Sequence, residues 1–510
     1  MWTIILALSA VALAAYYLSG FGNPFKKHGI PYRKSLPIVG CSWDLFYQRE
    51  TVADIMQYNY NLHKDAKYVV YYEFMQPVFV IRDIELIKSI TVKNFEHFVN
   101  HQTLITGDSD LLFSKNLFIL KDDEWRNLRN AASPTFTTSK IKSMFVLMND
   151  CAKRYGELLS KLPDDKKVLE LKDVFTRCTN DIIASCTFGI NVDSMTDREN
   201  KFYVYGRQAT NFGRTNIIKF FMARHFPFLY KLFRIKIVDP KIEKFFMDVV
   251  TENIKTRVEK GISRPDMIQL LMETKGKELT VEDIISQVFI FYVGGLENVS
   301  TMMCFAAHEV GINPKIQKKL QDEIDDALAK NDGEITYEAM NGMKYLDAVV
   351  NETLRHYPIA AVTDRKCTKR FELPPALPGL KPFVVEEGSY IQIPIYGLQH
   401  DSQYFENPDT FDPERFMDKS KKFNSGAYLP FGLGPRVCIG NRFALLKTKV
   451  LLFHLFAKCT LKPCEKTRIP LQLTRSASAM IAEDGYWFQI EPRREICPVH
   501  VHSDSGSKVY

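Results

Sequence analysis

The chain has 510 residues, 46% of them hydrophobic and 25% charged, enough apolar material for a sizeable core. Its formal charge of +7 is modest for that length, and no basic run interleaved with aromatics accompanies it, so a dedicated nucleic-acid binder is not expected. The ten cysteines are scattered without a Cys-x-x-Cys pair, which reads as reduced thiols in a cytosolic compartment rather than a disulfide framework.

Residues 2–21 form an uncharged, mostly apolar run of 20 residues. At ~1.5 Å per residue it is long enough to cross a bilayer core of ~30 Å. Lys26, Lys27, Arg33 and Lys34 follow with no acid among them, which places that flank in the cytosol. The competing reading is a cleaved signal peptide, with Ala12-Leu13-Ala14 resembling a cleavage site. The missing basic n-region and the length of the run favour an uncleaved anchor. The expected organisation is therefore an anchor at 1–22, a basic, proline-containing hinge at 23–40 stiffened by Pro31 and Pro37, one large domain at 41–495 and a polar tail at 496–510. No Pro/Gly/Ser-rich linker, internal repeat or low-complexity tract divides the middle.

Further along, 68–72 and 78–81 read as two β-rich runs joined across Gln76-Pro77. Helical patterns dominate from about 122 to 355, and 385–395 returns to strand-like composition. The stretch 217–237 is rich in Phe and Leu with interspersed Lys and Arg. It suits an amphipathic surface resting on a membrane interface or an ordinary core-facing helix pair. Two Asn-x-Ser/Thr matches, at Asn298 and Asn351, fall on expected buried helices of a cytosolic domain and are read as chance.

Four local patterns carry chemistry. Trp125 and Arg129 stand at i and i+4 of one expected helix. Gly294 and Gly295 interrupt another apolar helix, where each glycine costs roughly 1 kcal/mol relative to alanine. Glu352 and Arg355, at i and i+3, share a helix face; alone, such a pair is usually a surface contact of little weight. The fourth is Phe431-Gly432-Leu433-Gly434-Pro435-Arg436-Val437-Cys438-Ile439-Gly440, followed by the helix-like run 443–457. A lone cysteine on a glycine-bracketed loop suits an axial thiolate ligand to haem iron, which favours O–O cleavage. Gly434 and Gly440 would let the backbone approach a flat macrocycle. N–H groups of the following helix would stabilise the thiolate, and Arg436 could pair with a haem propionate. The alternative is a buried structural cysteine in a turn.

At these residues the chain resembles the cytochrome P-450 superfamily of haem-thiolate monooxygenases, of microsomal type. The resemblance extends to Glu352-x-x-Arg355, to Pro413-Glu414-Arg415-Phe416 and to Trp125-x-x-x-Arg129. It implies a mainly α fold with a small β region, a helical prism around haem b (iron protoporphyrin IX) behind an N-terminal transmembrane anchor. It implies Cys438 as the metal ligand, with Trp125, Arg129, Arg365, Phe431, Arg436 and Gly440 binding the cofactor. Arg415 would join Glu352 and Arg355 in a network bracing the haem side.

On the oxygen side the resemblance assigns catalytic roles to Glu297, in proton delivery, and to Asn298. Asn298 stands where the family usually has the threonine that steadies oxygen over the haem. Around the helix at ~100° per residue, Ser300 points elsewhere, while Thr301 is nearer the right face but almost a turn along. Asn298, with two N–H donors and a carbonyl acceptor, could hold a water or the distal oxygen, or could simply cap a kink. By resemblance the substrate pocket maps to Phe113, Phe289, Ile359, Ala360, Val362 and Ala477 to Met480, a mostly apolar set that suits a lipophilic ligand but equally plain core packing. The phrase at 442–449 is most similar to insect xenobiotic-metabolising members. Implied partners are an NADPH-cytochrome reductase, cytochrome b5 and the endoplasmic reticulum membrane, with the catalytic domain facing the cytosol. No Gly-x-Gly-x-x-Gly follows a strand, so the chain is not expected to bind NADPH itself. Two rival functions are a lipid-hydroperoxide-rearranging haem-thiolate enzyme and a non-catalytic haem-binding ligand carrier.

Overall fold

A computed structural model describes residues 2–18, 24–36, 40–41, 50–102, 111–210, 214–274, 279–417, 423–475 and 480–493. The helices that bear on the site are α1 (Trp2–Leu18), α2 (Asp122–Ala132), α3 (Thr138–Ser160), α4 (Leu171–Ile183), α5 (Arg214–His225), α6 (Pro227–Leu232), α7 (Val281–Ile312), α8 (Lys344–His356) and α9 (Asn441–Lys458). α7 is the axis. Its 32 residues span about 48 Å at ~1.5 Å per residue. Thr280 and Asp283 cap its start reciprocally, each side chain accepting from the other's backbone N–H at 3.1 and 3.0 Å. Pro314 opens the next helix and so ends this one. α7 is apolar nearly all round because it is buried nearly all round. It is also the one helix among the described residues with the length and hydropathy of a membrane span, yet two-thirds of that window lies inside the protein.

α9 follows the cysteine loop and packs against α3 and α7. α3 comes this close because residue 156 is glycine: a Cβ there would lie 2.6 Å from the His454 carbonyl oxygen. That close approach fixes α9, and with it the end of the loop that precedes it.

The strands are β1 (Tyr68–Glu73), β2 (Gln76–Ile81), β3 (Val168–Glu170), β4 (Thr363–Lys366), β5 (Phe371–Leu373), β6 (Phe383–Val385), β7 (Tyr390–Ile393), β8 (Cys459–Lys462) and β9 (Trp487–Pro492). They form a four-stranded sheet in the order β1-β2-β7-β4, a three-stranded sheet β3-β9-β8 and a β5-β6 pair. The first hairpin differs from expectation. It turns at Phe74 and Met75, with Phe74 at φ +52°, and Pro77 lies inside β2 opposite Tyr72. Pairing of β2 with β7 starts only at Val78, so the missing N–H of Pro77 leaves no gap in that ladder. Expected strand 385–395 resolves into the end of β6, then β7, then a helix at Ile395–Gln399.

The main core surrounds α7, and a second core lies under the large sheet. Residues 24–36, within the expected hinge, run along β1. Val70 N–H donates to Pro31 O at 3.0 Å, Arg33 N–H donates to Val70 O at 2.8 Å, and Phe25 is buried edge-on against Phe79. α1 covers 2–18 of the apolar run and exposes Trp2, Ile4, Leu6, Leu8, Val11 and Leu13. α5 and α6 leave Ile218, Phe226, Phe228, Leu232 and Phe233 exposed, which is not the pattern of a core-facing pair. An ion pair between Arg224 and Glu73, 2.6 Å long and mostly shielded, ties α5 to β1.

Candidate functional site

The cysteine loop is held by its own backbone. Cys438 N–H donates to Phe431 O and Val437 N–H to Gly434 O, both at 2.9 Å. Gly434 has φ +77°, and a Cβ there would lie 1.9 Å from the carbonyl oxygen of Thr91, so only glycine fits. Cys438 is exposed by accessible surface yet closely surrounded. Burial raises its thiol pKa, opposed by the Gly440 backbone and the Arg129 cation.

Three guanidinium groups gather around this loop. Arg365, on β4, is buried and donates to Asp364 O at 2.6 Å and to Leu433 O at 3.2 Å, while its Nε has no partner. Its pKa is lowered to about 10 by desolvation. Arg436 donates to Val99 O and Leu120 O at 2.8 and 2.9 Å and lies 4.0 Å over the Trp125 ring. Desolvation, then repulsion from Arg365, brings its pKa down to about 9. Arg129, on α2, is half-buried and senses the Cys438 sulfur. Asp364 offers some compensation, but it is already taken by His101 at 2.9 Å and the Gln102 N–H at 2.6 Å. Trp125 packs on Arg436, a residue of the cysteine loop that its helix spacing does not indicate.

Behind the loop, Glu352 and Arg355 are fully buried and form a bidentate pair, both contacts at 2.8 Å. Arg415 Nε lies 3.3 Å from Glu352, within ion-pair range although not aligned as a hydrogen bond. The remaining Arg355 donors reach Gln399 O and Pro408 O at 3.0 and 2.7 Å. Gln399 in turn accepts from the Leu429 N–H at 3.1 Å, two residues before Phe431. Nothing in the sequence marks Gln399, which links the buried pair to the loop.

Facing the loop is α7. Gly294 and Asn298, four residues apart and so on one face, are exposed in a helix whose other sides are mostly buried. A Cβ on Gly294 would meet nothing within 4 Å. The space is bounded by Phe136, whose ring lies edge-on to Phe291 at 5.0 Å and 3.7 Å from where a Gly440 Cβ would stand. Glu297 points elsewhere. Its carboxylate pairs with Lys172 of α4 at 2.8 Å, and the same ammonium donates to Ser300 and Thr301 at 2.8 Å each. Thr301 is thus committed to the α4 side and does not stand near the Asn298 face, because one lysine gathers Glu297, Ser300 and Thr301 on that flank of α7. Lys172 carried no signal in the sequence beyond its charge.

Of the expected pocket residues, Phe113 and Phe289 meet edge-on at 5.6 Å, and both are buried. Ser286 and Gln287 of α7 hold that segment by bonding Leu112 O, the Leu117 N–H and Lys115 O. Phe289 has no accessible surface and is a core residue here. Ile359 and Val362 are half-buried and Ala360 is exposed. Ala477 lies outside the described residues; Met480 is buried.

The residues fit a haem. An exposed thiol, a crowded set of cations with one buried N–H unpartnered, and an open helix face opposite would accept a flat iron macrocycle carrying two carboxylates. Comparison with known proteins agrees. The family model for Cytochrome P450 matches residues 30–489. Cytochrome P450 9e2 of Blattella germanica is 40% identical over 97% of this chain and 98% of its own length. Probable cytochrome P450 9f2 of Drosophila melanogaster is 38% identical over 96% and 99%, and Cytochrome P450 6j1 of Blattella germanica is 32% identical over 96% and 97%. With these matches over nearly its whole length and a thiol, cations and helix face arranged as described, the chain belongs to the cytochrome P450 family and is a haem-thiolate monooxygenase.

Proposed function

We propose that this monooxygenase inserts one oxygen atom from O2 into lipophilic small molecules, xenobiotic or endogenous, with electrons from an NADPH-dependent reductase and cytochrome b5 as an accessory donor. Haem b held through Cys438 would supply the activation of oxygen, the second oxygen atom leaving as water. The observation that carries the reading is the gathering of Arg129, Arg365 and Arg436 around the loop that carries the exposed Cys438, with Arg129 acting on the thiol itself, because so crowded a set of cations suits an anionic group. Arg129 and Arg365 would hold the propionates; most Arg436 donors already serve backbone carbonyls, so it contributes mainly charge.

Across the site, Asn298 would present its amide to oxygen or an ordered water. Glu297 and Lys172 share a proton-bearing contact at 2.8 Å that is partly open to solvent, with 28% and 19% side-chain exposure. Their role would be to take a proton from water on the α4 side of α7, with ordered water relaying it to the Asn298 face. Phe113, Ile359, Ala360 and Val362, given to the pocket by resemblance, would exclude water and accept an apolar substrate. Exposed apolar side chains on α1, α5 and α6 support attachment to the endoplasmic reticulum membrane, with the body on the cytosolic side.

The test is spectral and catalytic together. A screen of lipophilic compounds for a spin-state shift should find ligands, and these should be oxidised when NADPH and a reductase are supplied. Turnover of a lipid hydroperoxide alone, with none under NADPH and reductase, would refute the proposal and favour rearrangement chemistry.

A further inference from the structure

Lys447 is the most unusual side chain near the site. It lies on α9, nine residues beyond Cys438, and has no accessible surface. Lysine is rarely buried without a partner acid. Here the amine donates to the carbonyl oxygen of Gly295 on α7 at 2.7 Å. The backbone is closely packed here: a Cβ at 295 would meet the tip of Ile183 at 2.9 Å, and the Lys447 amine would stand 3.7 Å from it.

Among the described residues the surroundings hold no free carboxylate. The ionisable groups that act on the amine are thiols: Cys186 beyond the end of α4, Cys178 on α4 and Cys151 on α3. All three are buried, and burial raises their pKa values, so they bring no negative charge. On α7, Glu297 is engaged by Lys172. On α4, Asp181 is engaged by Tyr155 and Ser194. Phe443, one turn back on α9, turns its ring toward the amine at 5.8 Å. An ammonium here is therefore poorly solvated, and desolvation lowers the Lys447 pKa to about 7.

We infer that Lys447 is a positioning residue: its amine ties the helix that follows the Cys438 loop to the Gly294–Asn298 turn of α7, and its protonation shifts that turn. The neutral amine donates to Gly295 O and keeps Asn298 in register over the site. Gaining a proton demands more hydrogen-bond partners than Gly295 O and three thiols provide, so the turn moves to supply them. The inference rests on the haem-thiolate reading for its readout, but the hydrogen bond and the burial do not depend on that reading.

The experiment follows carbon monoxide, a ligand with no charge at any pH, recombining with the reduced haem protein after photolysis between pH 6 and 8.5. A long-wavelength Soret band in each protein checks the haem-thiolate reading separately. The wild-type rate should change about two-fold or more with a midpoint near 7. Lys447→Gln, a neutral donor, should give a flat profile close to the alkaline wild-type limb. Lys447→Met, of similar length without a donor, should also be flat, at a different rate. A flat wild-type profile overturns the inference, and so does a step that survives in either variant. If Lys447→Met fails to take up haem, Lys447→Gln decides alone. A purely structural lysine would change thermal stability and leave the pH step in place.

Discussion

Around Cys438 the chain is held by loop backbone hydrogen bonds and a glycine that nothing else can replace, with a buried bidentate side-chain pair behind. Across the site on α7, order comes from long side chains reaching over from neighbouring helices, Lys172 from α4 and Lys447 from α9. The first arrangement follows from residues close in sequence or in fixed motifs. The second depends on which helices pack beside α7. The thiol side should therefore fail abruptly when altered, and the α7 side should fail by degrees.

Cys438→Ser is the most severe break. It should abolish the long-wavelength Soret band of the reduced carbon monoxide complex, and a variant that kept the band would remove Cys438 as ligand. Glu352→Gln leaves Arg355 and Arg415 without their carboxylate in the interior. Loss of one partner from a buried pair costs about 3–5 kcal/mol, so haem retention and the unfolding midpoint should both drop. Unchanged stability would mean the network is not braced as the contacts suggest.

On the α7 side, Lys172→Met should leave haem content and the Soret band intact while product formation falls about 100-fold, the low end of the range for a lost proton-transfer group. Equal product rates would show that the Glu297–Lys172 contact plays no part in the reaction. Asn298→Thr should lower peroxide release per NADPH by a few-fold, and Asn298→Ala should raise it, as expected if the amide holds oxygen or its water. If both matched the parent in peroxide yield and product rate, Asn298 would be structural.

The smallest effect links the two sides. The folded Lys447 pKa of about 7 lies below its unfolded value, so between pH 7 and about 10 the unfolded chain binds more protons. Stability therefore rises with pH through that window, by up to about 1.4 kcal/mol per unit. The unfolding midpoint of wild type should climb relative to Lys447→Met as pH goes from 7 to 9. Parallel curves would mean the amine is solvated in the folded protein.

Much of the thiol side was legible because its chemistry is local. The Cys438 loop, the Glu352–Arg355 spacing and the Trp125–Arg129 turn each lie within one short segment. Partners were harder to read than positions: Trp125 stacks on Arg436, and Gln399 joins the buried pair to the loop, contacts between residues 30 to more than 300 positions apart in the chain. The hairpin at 68–81 was legible as two strands, but the turn fell at Phe74 and Met75 because Pro77 could be tolerated where β7 does not yet pair.

By itself, then, the sequence determined that a thiol would stand on a rigid loop ahead of a helix, that acid and base would share a helix turn and that α7 would be an apolar helix weakened at its glycines, since spacing along a helix or loop dictates those geometries. Only the tertiary structure decided what the charged groups face. It set Glu297 against Lys172, gathered Arg129, Arg365 and Arg436 around the Cys438 loop, and drove Lys447 inward onto Gly295. The physical reason is that a charge takes its pKa and its partner from the dielectric and the neighbours that packing puts around it, and those neighbours come from distant parts of the chain.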